Sequence, residues 1–195
     1  MGSFFTETKM SDESFFGIKQ TKQEMVSLHF SNCSFTNCDL SDSTFMGCTF
    51  EDCFFRHCNL SNVHIYGSEF IQCKFENSKL LGINWNEKKD ALLFSVQFFQ
   101  TILDYCSFTM LDLRHCSFKD CSMLEADFSN ANLQKIAFSG CNLSRAVFAH
   151  TDLTGADLRR ATNYMIDPTN NKVSKARFSL PDAVNLLKSF GVSIE

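Results

Sequence analysis

From Met25 to Trp85 every fifth residue is large and apolar, and this period limits the possible folds more than any other feature of the chain. The series runs Met25, Phe30, Phe35, Leu40, Phe45, Phe50, Phe55, Leu60, Ile65, Phe70, Phe75, Leu80, Trp85. A second series runs from Leu93 through Phe98, Leu103, Phe108, Leu113, Phe118, Met123, Phe128, Leu133, Phe138, Leu143, Phe148 and Leu153 to Leu158. Two residues before most centres stands a small residue, as at Cys33, Cys38, Ser43, Cys48, Cys106, Ala126 and Ala156. A helix repeats every 3.6 residues and a strand every 2, so neither accounts for a period of five. A chain that turns a corner every five residues does, with the small and the large residue of each unit pointing inward.

Four sides are expected because residues 20 apart match in kind. Phe30, Phe50 and Phe70 form one such set, Phe35, Phe55 and Phe75 a second, and Leu113, Leu133 and Leu153 a third. Like stacks on like when each coil packs only on its neighbours. The two series amount to about seven coils, a rod roughly 33 Å long at the inter-strand spacing of about 4.8 Å. The 22 Phe of the 195 residues serve this core, and the hydrophobic share of 44% supports a sizeable one.

The stretches ADFSN, ANLQK, CNLSR and ADLRR show the unit most plainly. They resemble the pentapeptide-repeat family, with its consensus A-(D/N)-L-X-X, over about residues 23 to 160. The resemblance implies an all-β fold, a right-handed quadrilateral β-helix. The sequence divides into an irregular N-terminal cap over residues 1–22, a first repeat segment over 23–87 and a second over 91–160. Between the segments, Lys88, Lys89 and Asp90 are surplus to the register and predict a small loop extruded at a corner, within the stretch 86–92. Residues 161–195 read as an imperfect last coil followed by a short C-terminal α-helix. Ser179 is its expected N-cap, Pro181 lies in its first turn and Gly191 is its stop. Ala183, Leu186, Leu187 and Phe190 line one face of that helix, which covers the open coil end and presents a dimer interface.

No enzyme chemistry is legible. There is no Gly-rich phosphate loop, no carboxylate pair and no nucleophile–base set, so neither catalytic residues nor cofactors are expected. The ten Cys all occupy the small inward position. They are expected to be reduced, metal-free hydrophobes. His57 and His115 each precede a Cys, but in this register the His faces outward. No apolar run is long enough to cross a membrane, and acidic residues interrupt the N-terminal stretch where a secretory signal would be apolar, so a cytoplasmic protein is expected.

Charge separates the rod from its tail. Residues 1–158 hold 19 acidic and 12 basic side chains, and residues 159–195 hold 3 and 6, matching the overall net charge of −4. LLGINW at 80–85, NYMID at 163–167 and KARFSLPDAVNLLKSFGVSIE at 175–195 are similar to the Qnr and albicidin-immunity (AlbG-like) branch of the family. That resemblance implies dimerisation through the C-terminal segment and protection of DNA gyrase by a rod that imitates duplex DNA, with topoisomerase IV as a second candidate partner and no direct contact with nucleic acid. It also implies a role for extruded loops, although the loop here is shorter. Asp104, Asp112, Asp120, Asp127, Asp152 and Asp157 are the candidate gyrase-facing acids. Duplex DNA would carry about 20 charges over such a rod, well above the net charge of −7 here, so shape has to contribute more than overall charge. The alternative is an interaction scaffold whose partner is not a topoisomerase.

Overall fold

The computed structural model describes residues 5, 7–88 and 94–192. The chain winds into a four-sided β-helix in which each side of each coil is one repeat unit. Short parallel strands pair only with the coils before and after. Strand β1 (Lys9–Ser11) pairs with His29–Ser31, which pairs with Thr49–Glu51, always with residues 20 apart opposite one another. Each three-residue strand has its central side chain buried and its flanks turned out. In the second half single bridges such as Asp112↔Asn132↔Asp152 replace most strands but keep the same register.

The backbone explains why the period is five. Two residues after most centres the chain takes a left-handed conformation and turns the corner, as at Asn32, Asn37, Asp42, Asp52 and Asn62, with φ between 52 and 57°. Asn, Asp and Gly are the residues that enter this region at least cost. The corner N–H is not lost to water: that of Asp52 donates to the Ile71 carbonyl one coil on, at 2.9 Å. The small slot has its own bond. Cys53 Sγ donates to the Phe30 carbonyl of the preceding coil at 3.5 Å, and Cys73 Sγ to that of Phe50 at 3.3 Å. Ser68 and Thr151 hydroxyls do the same to Phe45 and Phe128. Small residues with one donor therefore suit this slot, and all ten Cys are buried in it.

The faces are numbered here by their centres. The first face carries Met25, Phe45, Ile65, Trp85, Phe108 and Phe128, and the second Phe30, Phe50, Phe70, Leu113 and Leu133. The third carries Phe35, Phe55, Phe75, Phe98 and Phe118, and the fourth Leu40, Leu60, Leu80, Leu103 and Met123. Inside, the rings stack up each face. Phe55 lies between Phe35 and Phe75 with centroids 4.7 Å away on each side and planes nearly parallel. Rings on adjacent faces meet edge to face, as Phe30 does with Phe35 at 70°, and so do rings on opposite faces, as Phe108 with Phe118 at 78°.

Three sequence expectations differ from the fold. Residues 7–22 are a regular coil, not an irregular cap: Met10 stacks on Phe30, Phe15 on Phe35, and Lys19 bridges Asp39. Polar Gln20 at a centre, with Thr8, Glu13 and Gln23 in small slots, hides the period there. At the break, the inward slot assigned to Leu93 is filled by Phe94, which is buried, touches Trp85 at 5.4 Å and accepts the Cys116 thiol. A register shift between Ser95 and Val96 then restores the pairing. Leu93, like Lys89 and Asp90, lies outside the described residues. The C-terminal helix is a 3-10 helix over Asp182–Phe190 rather than an α-helix. Ser179 does not cap it, because its hydroxyl donates to the Arg159 carbonyl of the preceding coil. Pro181 stands at the cap without a side-chain bond, while Gly191, at φ 69°, ends the helix as expected.

The stacked rings generate the first prediction. Phe55 is fully buried. Phe55→Ala should lower stability by roughly 3–5 kcal/mol in chemical denaturation. A loss below about 1 kcal/mol would contradict a ladder core.

Candidate functional site

The acids proposed from the sequence stand next to the inward residues, and many of them serve the turns. Where Asp or Asn precedes a centre, its side-chain oxygen accepts the N–H two residues on. Ser129 donates to Asp127 at 2.8 Å, Thr154 to Asp152 at 3.0 Å, Arg159 to Asp157 at 3.1 Å and Arg114 to Asp112 at 3.2 Å. Asn132 and Asn142 do the same for Gln134 and Ser144. The Asp/Asn preference at this position is thus a local turn device.

Several of these carboxylates are also neutralised. Arg114 grips Asp112 with Nε and Nη2 at 2.9 and 2.6 Å. Asp157 receives Arg159 Nη2 at 2.8 Å and Arg177 Nη2 at 2.9 Å. Asp152 holds Gln134 Nε2 at 2.9 Å and faces Lys172 at 3.6 Å. The hydrogen bonds from Arg159 bring the Asp157 carboxyl down to about 2, and those from Arg114 hold Asp112 below the usual carboxylate range. Asp104 accepts the Ser122 hydroxyl at 2.6 Å and the Leu124 N–H at 2.9 Å. Asp120 leans over Gly140, whose φ of +72° favours glycine there.

The structure does not gather the six acids. Asp127 is on the first face, Asp112 and Asp152 share a ladder on the second, Asp157 and the corner residue Asp120 belong to the third, and Asp104 is on the fourth. Cations are spread just as unevenly. Lys9, Arg114, Lys135, Lys172 and Lys175 stand on the second face. The third carries Arg56, Lys74, Lys119, Arg159, Arg160 and Arg177, and the fourth Lys19, Lys22, Lys79 and Arg145. Arg56 and Lys119 sit over outward Phe54 and Phe99 rings at 5.0 and 5.1 Å.

The loop root is held by local contacts. Asn84 caps the short 3-10 turn Trp85–Glu87. The Glu87 carboxylate accepts the Ile65 N–H at 3.2 Å and faces His64 Nδ1 at 3.3 Å, and Lys88 lies over the Phe94 ring at 5.4 Å. At the other end of the rod, Asp182 accepts the Asn163 N–H at 2.8 Å and Asn185 donates to the Tyr164 carbonyl at 3.4 Å, which fastens the terminal helix. Ala183 is half-buried and Leu186 packs on the core, while Leu187 and Phe190 remain exposed beside Leu180 and Val192. Burial pushes the Tyr164 hydroxyl up to about 12, with no hydrogen-bond partner.

Among the described residues no group of three or more His, Cys, Asp or Glu is arranged to hold a metal. Burial pushes the thiols of Cys106 and Cys116 up to about 12, which makes them poor ligands and nucleophiles. No helix among the described residues is long and apolar enough to cross a membrane.

Compared with known proteins, residues 5–85 and 91–163 match the family model described as a pentapeptide repeat region. No curated protein sequence matches. A trypsin-treated variant of QnrB1, described as a plasmid-mediated fluoroquinolone resistance protein, superposes with a TM-score of 0.73 at 17% identity, covering 96% of this chain and 99% of that one. A second such variant gives 0.72 at 16% identity, covering 96% and 98%. At this identity the likeness establishes the fold.

The Asp157 cluster generates a pH prediction. A folded carboxyl held down to about 2 contributes stability above the ordinary carboxylate pKa of about 3.9, and that contribution is lost as pH falls through the folded value. Asp157→Asn keeps the turn acceptor but not the charge. It should be less stable than wild type by up to about 1 kcal/mol at pH 7, with the gap closing between roughly pH 4 and pH 2. Denaturation midpoints across that range test it; a gap independent of pH would rule out the ion pair as its source.

Proposed function

Since this chain belongs to the pentapeptide-repeat family, we propose that it works through its outer surface, binding DNA gyrase as a rod and shielding it from a toxin or quinolone. The observation that carries the reading is the end-to-end match of the rod to QnrB1, a fluoroquinolone resistance protein. The similarity of the segments at 80–85, 163–167 and 175–195 to the Qnr and albicidin-immunity branch supports gyrase as the partner and topoisomerase IV as a second one. The rod acts as a non-enzymatic binding protein in the cytoplasm, without contacting nucleic acid itself.

The neutralised acids change how such a rod imitates DNA. Asp112, Asp152 and Asp157 offer a partner little free charge, because each already has a cation. Shape and selected local groups then have more weight than a continuous acidic stripe. Gyrase supercoiling in the presence of a quinolone or a gyrase-poisoning toxin tests the reading. Added protein should restore activity; equal poisoning with and without it, across several poisons, favours a scaffold with another partner.

The same reading places a homodimer at the C-terminal end. Leu187 and Phe190 are 43% and 59% exposed, with Leu180 at 78% beside them. Burying such side chains stabilises by about 1.5–3 kcal/mol each. Leu187→Asp should give a monomer by light scattering while the β-rich spectrum persists. A wild-type chain that is monomeric at micromolar concentration would exclude this interface.

A further inference from the structure

The corner geometry assigns every outward side chain to a face, and one face is unlike the others. On the first face, among the described residues, the units from Glu24 to His150 carry no Lys or Arg apart from Lys88, which follows Glu87 at the loop root and lies over the Phe94 ring, whereas each other face carries at least four. Its acids include Glu7, Glu24, Glu87 and Asp127. The same face gathers most of the large apolar side chains that the rod exposes: Val26 at 49%, Met46 at 41%, Tyr66 at 45%, Met110 at 73% and Val147 at 46%. Elsewhere on the rod before Leu158, among the described residues, only Phe16 and Tyr105 compare.

Three of these side chains are contiguous. Val26 pairs in register with Met46, and the Thr44↔His64 bridge sets Tyr66 in the next rung. They therefore form a ladder with a rise of about 4.8 Å per step. The corner beside them is Ser27, Gly47 and Gly67, so no long side chain overhangs it. The Tyr66 ring stacks on His64 at 5.2 Å, which holds it flat along the face.

We propose that the first face is the docking face of the rod, and that its partner is a protein surface that is basic and carries exposed apolar side chains. Charge decides between the sides: a basic partner approaching any other face meets fixed cations, and like-charge juxtaposition at an interface costs several kcal/mol. On the first face it meets acids and an apolar ladder, the combination that supplies a dry centre within a polar rim. The scarcity of cations also makes this face a poor site for phosphate backbones. The inference rests on the gyrase reading only for the partner's name; the face is defined by its own chemistry.

The test compares two doubly substituted proteins of equal added charge: Met46→Lys with Tyr66→Lys on the first face, and Gln97→Lys with Ser117→Lys on the third. All four positions are exposed, and Val26→Lys replaces Tyr66→Lys if that variant does not fold. The probe is a synthetic amphipathic helix of Leu and Lys, titrated by calorimetry at low and physiological salt. Binding should weaken by about ten-fold or more in the first-face variant and by less than about two-fold in the third-face variant. Gyrase protection by the three proteins forms the second arm and should follow the same order. Equal weakening in both variants, no weakening in either, or equal protection of gyrase by all three proteins overturns the docking face. If the peptide discriminates as expected but wild-type protein does not protect gyrase, the gyrase reading falls and the docking face stands.

Discussion

Everything in this molecule depends on one coil binding the next. A single coil of four short sides has no core of its own and cannot satisfy its backbone. The Asp52 N–H reaches the Ile71 carbonyl, Leu60 N–H the Lys79 carbonyl and Cys53 Sγ the Phe30 carbonyl, each across a coil boundary. The Phe ladders add stacking along the same axis. Stability therefore accrues by neighbour contacts, as in other solenoids. Both ends must then be closed, which the Phe5 ring against Phe15 and Phe30 does at one end and the Asp182–Phe190 helix at the other.

That demand shapes the surface. A left-handed corner every five residues favours Asn, Asp and Gly, and an acceptor just before each centre favours Asp and Asn again. Much of the acidity of the rod comes from these needs. Cross-coil pairs such as Arg56 with Glu76 and Arg145 with Glu125 then cancel part of it. Net acidity is thus a poor guide to where a partner binds. The uneven placement of cations and exposed apolar groups is the better one, because neither the turns nor the core require it.

The core was legible in the sequence because the period is exact in its inward residues. Every centre from Met25 to Trp85 is buried as the register demands. The coil before Met25 escaped notice because Gln20 and Glu13 break the hydrophobic pattern, yet the backbone bridges there hold the register without apolar help. The break near residue 90 was visible as a surplus, but not which residue would refill the core. In the structure Phe94 stands in the core there, its ring against Trp85.

The sequence by itself determined the four-sided coil, the stacked ladders and the inward position of the ten Cys, because these follow from local period and size alone. Only the tertiary structure decided which acids are free. Pairing of Asp157 with Arg177 and of Asp152 with Lys172 joins residues 20 apart, and whether their side chains meet depends on rotamers as well as register. It also decided that the helix of the last residues is a 3-10 helix and that the Ser179 hydroxyl, rather than capping it, bonds to the Arg159 carbonyl of the coil beneath. The apolar, cation-poor first face belongs to the same class: the rungs of its apolar ladder, Val26, Met46 and Tyr66, lie 20 apart in the chain, and only winding brings them onto one surface.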